Sequence, residues 1–322
     1  MPVRSMVLER PRTPLQPADL PDPAPGPGQV LLRVRACGVC RTDLHLADGE
    51  LDAGHLPLVL GHQVVATRDD DGARVGVPWL GFADGTCAYC TSGRENLCPA
   101  AEFTGKDRDG GYAELMVADA AFCLPLPEGV DDVHAAPLLC GGAIGFRTLR
   151  AAGDPARVGL YGFGSAAHLV SQVAVWEGRE VYGFTRPGDA AGQAFARELG
   201  AVWAGGTDEI PPEPLDAALI FAPVGALVPL ALRHLAPGGV VVCGGIHMSD
   251  IPSFPYADLW QERSIRSVAN LTRDDGRELL DIATRAGIRS QVTEYPLERA
   301  QDALDDLRAG RFEGSAVLVV SS

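Results

Sequence analysis

Val158-Gly159-Leu160-Tyr161-Gly162-Phe163-Gly164-Ser165-Ala166-Ala167 is the stretch that decides how this chain folds. Four apolar or small residues suit a buried strand, and a G-x-G-x-x-A pattern follows where a helix should begin. Glycines there let backbone approach a pyrophosphate, whose charge meets the helix N-terminus. Alone, the pattern also fits a plain tight turn. Its surroundings narrow the choice, because apolar strands at 180–184, 215–221 and 240–243 alternate with amphipathic helices near 166–176, 190–199 and 227–235. That alternation predicts a doubly wound parallel sheet of the Rossmann kind. A strand at 265–269 and a helix at 274–286 would complete it.

Upstream the texture differs. Residues 29–37 alternate, with Val30, Leu32, Val34 and Ala36 on one face and Arg33 and Arg35 on the other, as a half-buried strand requires. Short strands broken by Gly and Pro continue to about Ala135, so the first third reads as mainly β. A helix at 301–307 and a strand at 316–320 close the chain. The expected class is α/β, with a mainly β domain formed by 1–146 and 291–322 around a cofactor domain at 147–290.

The 322 residues carry 27 basic and 42 acidic side chains, a formal charge of −15, which repels nucleic acid. No apolar run approaches the roughly 18 residues of a membrane helix, and the first residues lack the apolar core of a signal peptide. A cytoplasmic protein with neither nucleic-acid nor membrane partner is expected. In a reducing compartment its eight cysteines should stay free. Three cluster as Cys87-x2-Cys90-x7-Cys98, which raises the question of a metal.

The end of the second predicted Rossmann strand bears on the cofactor. A site for NAD usually places Asp or Glu there, against the ribose hydroxyls. Here the sequence is Tyr182-Gly183-Phe184-Thr185-Arg186, with a hydroxyl and a guanidinium in place of a carboxylate. NADP(H) is therefore expected over NAD(H), with Thr185 and Arg186 beside the 2′-phosphate and Gly162, Gly164, Ser165 and Ala166 beneath the pyrophosphate. The alternative for Arg186 is an ordinary solvated arginine.

Cys40, His62 and Cys140 are far apart, and no spacing rule makes them a set. Their neighbourhoods are Gly38-Val39-Cys40-Arg41-Thr42-Asp43-Leu44-His45, Gly61-His62-Gln63 and Ala136-Pro137-Leu138-Leu139-Cys140. Together with Gly93-Arg94-Glu95-Asn96-Leu97-Cys98 and the glycine turn, in this order over nearly the whole chain, they resemble the zinc-dependent alcohol dehydrogenases of the medium-chain dehydrogenase/reductase superfamily. Gly-Val-Pro-Trp-Leu-Gly at 76–81 and Gly-Ile-His-Met-Ser-Asp-Ile-Pro at 245–252 resemble a bacterial subgroup.

The resemblance implies a GroES-like catalytic domain and a catalytic zinc held by Cys40, His62 and Cys140, with a fourth position open. It implies that Asp43 orients a ligand imidazole, that Thr42 contacts the substrate oxygen, and that His45 passes its proton to solvent through the nicotinamide ribose. Arg41 matches a cofactor-phosphate contact. A second, structural zinc would use Cys87, Cys90 and Cys98, with Asp84 in place of the family's first cysteine; a lobe held by packing alone is the other reading. Gln63 stands where a glutamate is usual, and its neutrality should raise the electrophilicity of the zinc. The segment 64–77 looks shortened to an acidic turn, and Gly314-Ser315-Ala316 lacks an arginine that many relatives direct at the cofactor.

The expected reaction is hydride transfer between NADP(H) and a primary or secondary alcohol, aldehyde or ketone, in an interdomain cleft of a homodimer or homotetramer. The rivals are a zinc-free quinone or enoyl reductase and a non-catalytic nucleotide-binding protein. Pocket shape depends on Trp79, Phe103 and Trp260, whose placement sequence does not determine.

Overall fold

A computed structural model describes residues 2–320. The chain opens with β1 (Val3–Leu8) and β2 (Gln16–Leu20), then β3 (Gln29–Val39) running directly into α1 (Arg41–Ala47). The alternation in β3 is realised, with Val30, Leu32, Val34 and Ala36 buried. There follow β4 (Leu58–Val59), β5 (Val64–Arg68), β6 (Arg74–Val77), β7 (Leu80–Phe82), β8 (Glu102–Phe103), β9 (Leu115–Asp119), β10 (Leu124–Pro125) and α2 (Asp132–Ala135). β5 and β6 form an antiparallel hairpin whose turn holds Asp69, Asp70 and Asp71; Asp71 accepts the Ala73 amide and Asp70 pairs with Arg68. This is the short acidic turn expected at 64–77.

The middle of the chain contains α3 (Gly141–Ala151), β11 (Arg157–Tyr161), α4 (Ser165–Trp176), β12 (Glu180–Thr185), α5 (Ala190–Glu198), β13 (Trp203–Gly206), β14 (Leu215–Ile220), α6 (Leu227–His234), β15 (Leu235–Cys243), α7 (Tyr256–Leu259) and β16 (Ser264–Ser267). Its six strands are all parallel in the order β13-β12-β11-β14-β15-β16. The order reverses beside β11, which puts the glycine turn at the topological switch point, where this architecture binds ligands. β13 was not expected from sequence. Trp203-Ala204-Gly205-Gly206 is short and glycine-rich, and it pairs only along β12 at the sheet edge, so it carries no buried apolar run.

The chain closes with α8 (Arg273–Ala286), β17 (Val292–Pro296), α9 (Ala300–Ala309) and β18 (Ser315–Val319). β18 pairs antiparallel with β3, so the C-terminus completes the sheet begun by the N-terminal third. The chain divides into two compact units. One runs to Cys140 and adds 270–284 and the residues from Arg289 on; the other is 141–269 with 285–288. The expected division lay six residues later and gave α8 to the cofactor unit. Most of α8 instead belongs with the first unit, where Glu95 accepts both the backbone amide and Nε of Arg273 at 3.0 and 3.2 Å. Among the described residues, no helix is long and apolar enough to cross a membrane.

Candidate active site and metal centres

Cys40 is the N-cap of α1, in extended conformation at the end of β3. Asp43, three residues on, accepts the Cys40 amide through Oδ2 at 2.8 Å, and this closes the first turn. The same carboxylate is wholly buried; it also accepts the Tyr112 hydroxyl at 3.2 Å and faces Nδ1 of His62 at 3.1 Å. A carboxylate at Nδ1 fixes the proton there and turns the lone pair of Nε2 the other way. Gly61 makes the approach possible. Its φ is +98°, and an added Cβ would stand 2.4 Å from the Tyr112 ring and 2.7 Å from Cys37 Sγ.

Nε2 of His62 is buried and without a hydrogen-bond partner among the described residues. Such an atom is costly unless something binds it. Cys40 Sγ and Cys140 Sγ lie 4.0 Å apart, and one ligand atom from each of Cys40, His62 and Cys140 falls within 4.8 Å of the others. The residues thus fit a metal ion with two thiolates and one imidazole. The two thiols are unequal. Cys40 is held well below the usual thiol range, chiefly by its bond with Cys140 and further by His62, while that bond and burial push Cys140 up. Burial lowers the basicity of His62, but Asp43 and Cys40 outweigh it and hold the imidazole up at about 10. A divalent cation at the centre would ionise both thiols and keep Nε2 unprotonated.

Trp79 meets the His62 ring edge-on at 4.7 Å and stacks on Phe103 at 5.2 Å. Trp79 thus packs on a candidate ligand imidazole, with Phe103 stacked on it. Trp260 is 60% exposed and belongs to the other unit. Gln63 is buried, packed against Gly38, and its Oε1 has no hydrogen-bond partner among the described residues. Thr42 and His45 are both buried on α1, and Thr42 Oγ1 is 3.7 Å from Cys40 Sγ. Arg41 is exposed. One residue escaped the sequence reading: Glu50, whose Oε2 is 2.6 Å from Nδ1 of His45. No motif or helical spacing marks it, since it lies past the end of α1.

Asp84, Cys87, Cys90 and Cys98 form the second cluster, again with ligand atoms within 4.8 Å. Asp84 Oδ1 accepts the amides of Thr86 and Cys87 at 2.7 and 2.8 Å, which holds its carboxyl far below the usual range. Asp84 Oδ1 therefore shapes the loop, and a carboxylate oxygen of the same residue lies within 4.8 Å of the three sulfurs. Three thiolates and a carboxylate suit a closed, tetrahedral zinc site. Among the described residues all the cysteines are free. Cys37 is a core residue, whereas Cys123 and Cys243 are only partly buried.

In the parallel-sheet unit, Gly162 turns with φ of +91°, and a Cβ there would stand 2.8 Å from Ala222. Gly164 caps α4, with open space where its Cβ would be. Ser165 and Ala166 open the helix. The Thr185 hydroxyl is engaged within the protein. The residue is 3% exposed, and its hydroxyl donates inward to the Arg186 carbonyl at 3.1 Å, because β12 still runs at this position. The exposed Arg186 alone is presented to solvent. The next carboxylate, Asp189, is committed to capping α5 through the Gly192 amide at 2.9 Å.

Comparison with known proteins agrees with this geometry. Residues 26–128 match the family described as the alcohol dehydrogenase GroES-like domain. The chain is 46% identical over 315 residues to a protein of Mycobacterium tuberculosis (strain CDC 1551 / Oshkosh) named "Probable alcohol dehydrogenase AdhA", covering 92% of this chain and 90% of that one. It is 32% identical over 345 residues to an alcohol dehydrogenase of Geobacillus stearothermophilus, covering 99% and 100%. In fold it is similar to a cobalt- and zinc-bound thermostable alcohol dehydrogenase of Pyrobaculum aerophilum, with a TM-score of 0.90, 22% identity, and coverage of 99% and 100%. With the GroES-like match, the six-stranded parallel sheet and two metal-ligand clusters in one chain, this protein belongs to the zinc-type alcohol dehydrogenases of the medium-chain dehydrogenase/reductase superfamily.

Proposed function

We propose that this alcohol dehydrogenase interconverts primary or secondary alcohols with aldehydes or ketones, prefers NADP(H) to NAD(H), and works through Cys40, His62 and Cys140. The carrying observation is the buried Nε2 of His62, without a hydrogen-bond partner among the described residues, on an imidazole clustered with two thiol sulfurs. A zinc ion bound there supplies a Lewis acid for the substrate oxygen, and the nicotinamide cofactor supplies or accepts the hydride.

The chain's own residues do the rest. Asp43 fixes the His62 tautomer and, through the Cys40 amide, the start of α1. Thr42 offers its hydroxyl to the substrate oxygen. His45 carries the substrate proton toward solvent. Trp79 and Phe103 bound the space and exclude water from it. On the cofactor side, Gly162, Gly164, Ser165 and Ala166 cradle the diphosphate, Arg41 adds a charge for it, and Arg186 meets the 2′-phosphate, with a threonine rather than a carboxylate ending β12. Asp84, Cys87, Cys90 and Cys98 hold a structural zinc. The edge strand β16 is the surface by which two copies would pair, as a homodimer or within a homotetramer.

Zinc analysis combined with NADPH-dependent reduction of a small aldehyde panel tests the reading. Turnover with bound zinc is expected; turnover unaffected by complete zinc removal would assign the protein to the zinc-free reductases, and cofactor binding without turnover would make it a non-catalytic relative.

A further inference from the structure

Lys106 is the single lysine of the chain, beside 26 arginines. It stands in the loop after β8 with a side chain only 20% exposed. Its Nζ is 2.6 Å from Oδ1 of Asp107 and lies over the Phe103 ring, 5.7 Å from the centroid. Phe103 in turn stacks on Trp79 at 5.2 Å with 17° between the planes, and Trp79 meets the His62 ring at 4.7 Å. A row of rings that begins at a candidate metal ligand therefore ends on one ammonium.

The backbone of Phe103 is held from the same place. Asp107 Oδ2 accepts the Phe103 amide at 2.9 Å, and the Phe103 carbonyl accepts the Asp107 amide at 2.9 Å. The carboxylate is thus divided, one oxygen for the ammonium and one for Phe103. Next along the chain, the Thr104 amide donates to the Trp79 carbonyl at 2.9 Å, which keeps the two aromatics in register. From outside, the Gly54 amide donates to the Lys106 carbonyl at 2.8 Å, and a Cβ on Gly54 would stand 2.7 Å from Asp107 Cα. Neighbouring charges are engaged elsewhere. Arg108 pairs with Glu102 and lies over Phe82, and Asp109 Oδ1 accepts the Val59 amide at 2.9 Å. A guanidinium in place of the ammonium would offer a fork to both oxygens of Asp107 and compete with the Phe103 amide for Oδ2; an ammonium is a point charge that leaves it free. That is a physical reason for lysine at this position in a chain otherwise built with arginine.

We propose that Lys106 and Asp107 are positioning residues that set selectivity among carbonyl substrates: they hold Phe103 flat on Trp79, and the fixed rings admit slender aldehydes in preference to those branched beside the carbonyl. This rests on the reading of Trp79 and Phe103 as bounding the substrate space. Without the ammonium, Asp107 can swing away from the Phe103 amide, the ring loses its cation and its backbone anchor, and the space beside it widens. The consequence is relaxed selectivity with the chemistry unchanged.

The test compares propanal with cyclohexanecarbaldehyde, reduced with the same cofactor by the zinc-loaded wild type, Lys106→Met, Asp107→Asn and Phe103→Leu. In Lys106→Met the ratio of kcat/KM for propanal over the branched aldehyde should fall about tenfold, through a lower KM for the branched one. Its kcat and KM for propanal, its zinc content and its melting temperature should stay near those of the wild type. Asp107→Asn should behave alike; should it fold poorly, Lys106→Gln supplies the second comparison. In the metal-free proteins, Phe103→Leu defines the near-ultraviolet circular dichroism due to the stack on Trp79, and Lys106→Met should lose much of the same signal. An unchanged ratio in Lys106→Met beside an altered one in Phe103→Leu overturns the role of Lys106 and Asp107 and leaves the aromatic wall standing. Equal losses toward both aldehydes with a lower melting temperature also overturn it, since the pair would then serve folding alone. An unchanged ratio in Phe103→Leu overturns the reading of the wall beneath it.

Discussion

Asp43 and His62, both wholly buried, share a hydrogen bond of 3.1 Å from the imidazole Nδ1–H to the carboxylate. Through it a helix-capping residue becomes the support of the metal centre, since Asp43 also ties down the Cys40 amide. Asp43→Asn keeps the shape and removes the charge. It should weaken zinc binding at this centre about 10- to 100-fold. Equilibrium dialysis against a graded chelator measures this, and unchanged zinc affinity would contradict the role given to Asp43.

The Asp84 cluster makes a separate prediction. Cys87→Ser should lose the lobe's zinc and lower the melting temperature while leaving the other zinc and much of the activity per folded molecule. Asp84→Cys completes four thiolates and should tighten zinc in the lobe, at a cost of about 1 kcal/mol for the lost acceptor to the Thr86 and Cys87 amides. Zinc content and calorimetry of the two variants decide it; a lobe that melts identically with and without zinc is one held by packing alone.

Much of this was legible in sequence. Buried parallel strands are continuous apolar runs, so β11, β12, β14 and β15 could be read from 158 to 243, and the glycine pattern located the switch point between them. β13 was lost because an edge strand with two glycines carries no such run. The catalytic cluster is a different matter: Cys40, His62 and Cys140 come from three segments of separate local logic, and only resemblance to a family linked them. Glu50 was invisible because its contact arises from a turn after α1.

Arg186 is exposed beyond the end of β12, and Asp189, the nearest following carboxylate, is engaged in capping α5. Arg186→Ala should raise KM for NADPH about tenfold or more and leave that for NADH nearly unchanged, because only the former carries the 2′-phosphate. Equal loss for both cofactors, or for neither, removes Arg186 from the site.

His168, in the first turns of α4, is buried, and desolvation lowers it to about 4 against backbone bonds near Gly164 and Ser165 that raise it. Between about 6.5 and 4 the unfolded chain binds a proton there that the folded chain refuses. The stability it contributes is therefore complete above about 6.5 and is lost as pH falls toward 4, by up to about 3 kcal/mol. Denaturant midpoints across this range should fall less steeply in His168→Leu than in the wild type; parallel curves would show that His168 does not titrate in this way.

The central claim is that Cys40, His62 and Cys140 hold the catalytic metal. It is tested most directly by zinc content and NADPH-dependent aldehyde reduction measured on the same folded preparation of Cys40→Ser. The account predicts one zinc fewer per chain than the wild type and a loss of turnover, with the melting temperature of the parallel-sheet unit retained; wild-type zinc content and wild-type turnover in Cys40→Ser would contradict it.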